Sequence, residues 1–161
     1  MPALAPPAVQ VILWQDIFAV VDNGRARPHE YGVLRSLITA QAEKFPNGIG
    51  CLAIIPRNAT PPSDRSREAL NLGLEAVRGS LRCMCWLVEG SGFQGAMVRA
   101  VLTGLRLVAQ RSYATHVSTN VDEALGWMLT HLPGRTSSPT DIESARRAIG
   151  GQRLDVTVEV R

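Results

Sequence analysis

Short β-branched apolar runs alternate along this chain with longer segments of helical periodicity, and this alternation limits the fold more than any other feature. The first two runs, Ala8–Trp14 and Ile17–Val21, are separated only by Gln15 and Asp16. So short a link predicts an antiparallel hairpin, because a parallel pair of strands needs a long crossover. Each later apolar run follows a helix-length segment, which predicts parallel strands in the rest of the sheet.

The predicted fold is α/β, with a small mixed β-sheet and about four flanking helices. An opening antiparallel hairpin is followed in this sheet by parallel strands, because helical crossovers separate the later runs. These strands are predicted at Ile49–Ile55, Leu81–Val88 and Ala114–Ser118. The helices are predicted to begin at Pro28, after Ser63 or Ser66, after Ser91 and after Asn120.

The second predicted helix illustrates how the buried faces are assigned. Leu70, Leu74, Val77 and Leu81 recur at the spacing of one helix face. We therefore expect these four side chains to form a buried stripe against the sheet.

Chain length is sufficient for one well-buried core and too short for two ordinary domains. We assign residues 8–133 to the α/β domain and residues 134–161 to a C-terminal extension. The extension contains a polar linker, a short helix at Asp141–Ile149 and an alternating strand at Leu154–Val160. Such a strand docks on a sheet edge or pairs with a second copy of the chain, so homodimerisation through it is one expectation.

Charge and hydropathy indicate a soluble protein that does not bind nucleic acid. The formal net charge is only +3, and the arginines are spread along the chain beside acids rather than gathered in a stripe. The apolar runs are far shorter than a membrane span, and the N-terminus lacks the basic start and continuous apolar stretch of a signal peptide. We expect a cytoplasmic protein without an integral membrane segment.

The three cysteines are predicted to be structural. Cys51, Cys83 and Cys85 all lie in apolar strand-like runs, and the last two, being two residues apart, project from the same face of a strand. They lack the spacing and the nearby histidines of zinc sites. We expect neither a bound metal nor a cofactor.

A glycine-rich turn follows the fourth predicted strand. Gly90, Ser91, Gly92 and Gly95 match the pattern G-x-G-x-x-G, in which backbone amides and a helix N-terminus hold a pyrophosphate. Against nucleotide binding, the turn follows the fourth strand rather than the first, and Glu89 beside it would repel phosphate. The simpler interpretation is a tight turn that lets the next helix pack closely on the sheet.

The loop after the third predicted strand is the second candidate site. It carries hydroxyl and guanidinium groups at the carboxyl end of a parallel strand, where α/β sheets place their sites. These groups belong to Thr60, Ser63, Arg65, Ser66 and Arg67. A phosphoryl group on Ser63 or Ser66 would meet a helix N-terminus and nearby arginines. Plain N-capping of the helix is the simpler interpretation.

The segment from Val9 to Leu132 resembles the STAS domains (sulfate transporter and anti-sigma-factor antagonist), in particular the SpoIIAA-like branch. The resemblance rests on the order of elements, on the strand–loop–helix unit at Ile49–Leu81 and on the closing Val121–Leu132 (VDEALGWMLTHL). It implies a domain that works through protein–protein contact, with nucleotide or lipid binding in some members. It also implies phosphorylation of a serine at the start of the second helix. Pro61-Pro62-Ser63-Asp64 stands in place of the D-S-S-G-type signature of the family, with Ser66 as a rival acceptor.

No motif of an ordinary active site occurs in the sequence. The three histidines do not belong to any H-E-x-x-H or triad pattern, and neither G-x-S-x-G nor a P-loop is present. The sequence therefore predicts a non-catalytic regulatory module whose partner is another protein, with serine phosphorylation as its switch. The alternative is a nucleotide-binding protein that uses Gly90–Gly95.

Overall fold

A tight hairpin opens the fold, as the two-residue link predicts. In this computed structural model, which describes residues 7–61, 63–90 and 113–153, strand β1 (Val9–Trp14) pairs antiparallel with β2 (Ile17–Asp22). The reversal places Gln15 in the left-handed region, with φ at 53°. The side-chain amide of Gln41 donates to the Gln15 carbonyl and holds this turn.

Three parallel strands extend the sheet in the order of the sequence. These are β3 (Ile49–Ile55), β4 (Leu81–Val88) and β5 (Ala114–Ser118). Each pairs with the strand before it, so the order across the sheet is β1-β2-β3-β4-β5. The predicted mixed α/β sheet is confirmed.

Four helices lie in the described part of the chain. They are α1 (Pro28–Lys44), α2 (Asp64–Ala76), α3 (Val121–His131) and α4 (Pro139–Gln152). The helix predicted after Ser91 lies outside the described residues. Helix α4 is longer than the sequence predicts at both ends. It starts earlier because Pro139 occupies its first turn, where a missing N–H costs nothing.

Short polar side chains cap three of these helices. Ser63 accepts from the Ser66 backbone N–H at the start of α2, and Asn120 accepts from Glu123 N–H at the start of α3. At the start of α4, the Ser138 side chain accepts from the Asp141 backbone N–H. Each cap satisfies an N–H group that has no partner within the helix.

The sheet carries a separate apolar core on each face, because side chains alternate along each strand. On β2, Phe18 and Val20 face helices α1 and α2, whereas Ile17, Ala19 and Val21 face helices α3 and α4. The domain therefore has three layers, with the sheet in the middle.

All three cysteines are free thiols in these cores. Cys83 and Cys85 project to the same face, as their spacing predicts, and Cys51 lies in the opposite core. Burial raises the pKa of Cys83 and of Cys85 to about 12, and that of Cys51 still further. Such thiols remain protonated and unreactive at neutral pH.

Residues 134–153 of the predicted extension include α4, which packs on the same face of the sheet as α3. Ala145 and Ile149 of α4 join the same core cluster as Ile12 of β1. Arg135 pairs with Asp16 at 2.8 Å near the start of this segment. The strand predicted at Leu154–Val160 lies outside the described residues, as does the homodimer contact expected of it.

None of the helices in the described part of the chain is long and apolar enough to cross a membrane.

Candidate functional site

A cavity of about 140 Å³ lies between the sheet and the helix pair α1–α2. Its walls are mainly aliphatic and aromatic side chains that project from β2, β3 and β4 on one side and from the two helices on the other. The sheet contributes Phe18, Val20, Cys51, Ala53, Ile55, Met84 and Trp86, and the helices contribute Tyr31, Leu34, Ile38, Ala69, Leu70, Gly73 and Leu74.

Small residues on opposite walls leave this space open. Ala53 lies in the middle of β3, and Ala69 and Gly73 lie on α2. The predicted buried stripe of α2 is correspondingly incomplete. Leu70 and Leu74 are only half-buried, and both line the cavity. Leu74 also packs against the core cluster on this face of the sheet. Val77, the C-cap of α2, is buried as predicted. The prediction that Leu81 belongs to the stripe of this helix is wrong, because α2 ends at Ala76 and Leu81, although buried, is the first residue of β4.

One end of the cavity is polar. Asp22, the last residue of β2, continues the face of Phe18 and Val20 and so projects to the cavity side of the sheet. Its Oδ2 accepts a hydrogen bond of 2.9 Å from the hydroxyl of Tyr31. Its Oδ1 accepts one of 2.8 Å from the backbone N–H of Gly24. A carboxylate and a phenol therefore form a fixed pair beside an apolar wall.

This pair lies in an electrostatic environment that disfavours negative charge. Burial raises the pKa of the Asp22 carboxyl above its usual range, and Glu30 nearby raises it further, against the two hydrogen bonds, which lower it. Burial and the neighbouring Asp22 also raise the pKa of the Tyr31 hydroxyl, so this group remains protonated. Among the described residues no arginine, lysine or histidine forms an ion pair with Asp22.

Two loops at the carboxyl edge of the sheet form the mouth of the cavity. Gly24, with φ at 80°, lies so close to the Thr60 carbonyl that an added Cβ would be 1.6 Å from its oxygen. The Thr60 N–H donates to the Asn23 carbonyl at 2.8 Å and joins the two loops. Thr60 and Pro61 line the cavity and are exposed, so the cavity is open to solvent at this edge.

The predicted interaction residues surround this mouth and the start of α2. Ser63 is exposed, whereas Ser66 is 2% exposed and its hydroxyl donates to the Ala26 carbonyl at 3.1 Å. Of the two serines, Ser63 is therefore the one whose hydroxyl a kinase could reach. Arg65 is exposed, and Arg67 pairs with Asp64.

The predicted nucleotide loop is described only at its first residue. Gly90 has φ at 101°, and an added Cβ would lie 3.1 Å from Cγ of Arg57. Ser91, Gly92 and Gly95 lie outside the described residues. Glu89 is paired with the guanidinium of Arg153, with one contact of 2.7 Å. The repulsion of phosphate expected from Glu89 is therefore reduced.

The histidines do not lie at the cavity. His116 on β5 contacts Glu123 at 2.6 Å, and its ring stacks on Trp127 with centroids 5.0 Å apart. His131 packs on the same tryptophan, with centroids 4.3 Å apart. This group lies on the α3 side of the sheet and stabilises the end of α3 against β5.

Sequence reasoning missed the cavity and its polar pair. The available signal was Asp22, a carboxylate that ends an apolar strand in phase with Phe18 and Val20. Ala53 and Gly73, which are distant in sequence, come to line one cavity only through the fold.

The fold and the site together define a three-layer α/β domain with an apolar crevice at the carboxyl edge of its sheet, which is the usual ligand position in such sheets. Comparison of the chain with protein-family models, with curated proteins and with solved structures gives no match.

Proposed function

We propose that this protein is a non-catalytic regulatory domain that binds a small, largely apolar ligand in the cavity and reports its presence to a partner protein. The observation that carries the proposal is the cavity of about 140 Å³ with a single carboxylate–phenol pair at its end. An apolar pocket with a few converging polar groups is the usual form of a small-molecule site.

Backbone contacts connect the cavity mouth to the surface predicted for partner binding. Thr60 belongs to both, since it lines the cavity and precedes α2. Ser66 ties the first turn of α2 to the loop that follows Asp22. A ligand that displaces either loop would therefore shift the first turn of α2, where Ser63 and Arg65 are exposed.

Regulation by phosphorylation fits the same surface. Ser63 is the N-cap of α2, and a phosphoryl group there would lie at the positive end of the helix dipole. This arrangement agrees with the resemblance to STAS domains, in which a serine at this place is modified.

Ligand binding is tested by thermal unfolding of the full chain with benzene, toluene, indole and 2-phenylethanol. A ligand at a hundredfold excess over its dissociation constant stabilises the fold by about 2.7 kcal/mol. Ala69→Leu fills the cavity and should abolish the response. Ala76→Leu makes the same change at an exposed position of α2 and should keep it. Equal responses of the two variants, or none in the wild type, would contradict the proposal.

Partner binding is tested by comparing the proteins captured by the full chain with and without ligand. Arg65→Ala should reduce a ligand-dependent capture. Arg147→Ala, which removes an arginine on α4 whose side chain is 80% exposed, should leave it unchanged. Capture that does not depend on either the ligand or Arg65 would contradict the reporting role.

Nucleotide binding at Gly90–Gly95 is the second candidate function. The observation in its favour is the left-handed Gly90 at the end of β4, beside a Glu89 whose charge Arg153 offsets. A panel of nucleotides should then raise the melting temperature of the wild type and of Ala69→Leu alike, since Gly90, the described residue of this loop, does not line the cavity. No shift with any nucleotide would eliminate this candidate.

A further inference from the structure

The polar end of the cavity presents acceptors rather than donors. The hydroxyl proton of Tyr31 is already donated to Asp22, which leaves the lone pairs of the Tyr31 oxygen. Each carboxylate oxygen of Asp22 accepts one hydrogen bond in the described part of the chain and has capacity for another. A ligand that is to pair with these groups must therefore donate hydrogen bonds.

Among the residues that the structure describes, this end of the cavity carries negative charge without a compensating cation. Asp22 has no cationic partner among the described residues, and the nearest acidic neighbour, Glu30, adds to the negative potential. A partly buried carboxylate gains most from a ligand that brings a positive charge, since attraction is stronger away from bulk water. A carboxylate or phosphate ligand would be repelled from the same place.

The walls of the cavity suit an organic cation with one ring. Tyr31, Trp86 and Tyr113 all line the cavity, and aromatic faces attract ammonium groups as well as apolar rings. Its volume of about 140 Å³ is close to that of an engineered apolar cavity of about 150 Å³ that holds benzene. The bound molecule is accordingly small.

We propose that the cavity binds a small primary amine in its ammonium form, with the ammonium group on Asp22 and Tyr31 and a body the size of one ring between the sheet and α2. The inference depends on the proposed ligand-binding function and specifies the class of ligand. Asp22 is then the residue that determines specificity, and the apolar wall contributes affinity for any ring of this size.

Calorimetric titration of the full chain with three matched compounds tests the assignment. These are 2-phenylethylamine, 2-phenylethanol and phenylacetate, which share a ring and differ in charge. The amine should bind at least about tenfold more tightly than the alcohol, as expected for hydrogen bonds to a charged group, and phenylacetate should bind most weakly. Asp22→Asn should remove the preference for the amine. Glu68→Gln, which changes the net charge equally at an exposed position of α2, should keep it.

The outcomes separate this inference from the function on which it depends. Binding of the alcohol as tightly as the amine, with both lost in Ala69→Leu, would overturn the amine assignment and leave ligand binding intact. Binding of none of the three by the wild type would overturn the amine assignment, and a similar lack of response to benzene, toluene and indole would overturn ligand binding as well. If Asp22→Asn does not fold, the ranking of the three compounds on the wild type decides the assignment.

Discussion

The hydroxyl of Tyr31 lies 2.9 Å from Oδ2 of Asp22 and joins the first turns of α1 to the last residue of β2. Tyr31 is 1% exposed and is among the largest fully buried side chains in the described part of the chain. The bond therefore fixes the position of the carboxylate at the polar end of the cavity.

Loss of this hydrogen bond should measurably destabilise the fold. Tyr31→Phe removes the donor and leaves Asp22 Oδ2 without its partner, so the free energy of unfolding should fall by about 2 kcal/mol at neutral pH. Urea denaturation followed by tryptophan fluorescence measures the change. Tyr113→Phe is the control, because the Tyr113 hydroxyl has no hydrogen bond among the described residues. An equal effect of the two substitutions would show that the Asp22 contact contributes nothing.

Asp22 should make stability depend on pH in an unusual direction for a carboxylate. The pKa of Asp22 is higher in the folded state than in the unfolded state. Asp22 therefore contributes favourably to the free energy of unfolding at pH values below its unfolded pKa, and this contribution is lost as the pH rises through its folded pKa. Asp22→Asn does not titrate. The free energy of unfolding of this variant, minus that of the wild type, should therefore increase as pH rises above about 3.8, the ordinary pKa of an aspartate side chain. Denaturant titrations at several pH values measure it, and a difference that decreases with pH would contradict the raised pKa.

Substitution by alanine should have opposite effects on stability at two glycines. Gly24 has a positive φ and abuts the Thr60 carbonyl, so Gly24→Ala should cost roughly 2 kcal/mol or more and disturb the cavity mouth. Gly32 lies on the exposed side of α1, with no atom within 4 Å of an added Cβ. Gly32→Ala should stabilise the fold by about 0.5–1 kcal/mol. Thermal unfolding compares the two, and destabilisation by Gly32→Ala would contradict the helical environment assigned to it.

The two serines at the start of α2 should differ in whether aspartate can replace them without loss of stability. Ser63→Asp keeps a good N-cap and should be nearly neutral, whereas Ser63→Ala should cost about 1 kcal/mol. Ser66→Asp places a charge at a buried position bonded to the Ala26 carbonyl, and it should be strongly destabilising. Equal tolerance of aspartate at both positions, measured by thermal unfolding, would contradict the burial of Ser66.

The sequence predicts the central strands well because they are mainly apolar runs. Strands β3, β4 and β5 all begin and end at the predicted residues, although β5 (ATHVS) is only partly apolar and mostly half-buried. Helix α4 was predicted too short because Ser138 and Pro139 were assigned to a linker, although together they form a capped first turn. Local pattern determines such elements, and errors arise at their ends.

The cavity could not be predicted in the same way. It depends on small residues of β3 and α2, such as Ala53 and Gly73, lining the same space, and no local pattern relates a strand position to a helix position. Periodicity places Leu70 and Leu74 on the inner face of α2, which is correct, but it does not say whether that face meets a wall or a space. Packing in three dimensions decides this.

The strand order of the sheet has a consequence for how the molecule forms. Because each strand pairs with the one synthesised just before it, every new strand finds its partner already present as the free edge of the growing sheet. Loop closure is then limited to one crossover at a time, which keeps the entropic cost of each pairing step low. Of the described residues that line the cavity, all but Tyr113 belong to segments up to β4, so an emerging chain acquires most of them before its last third has left the ribosome.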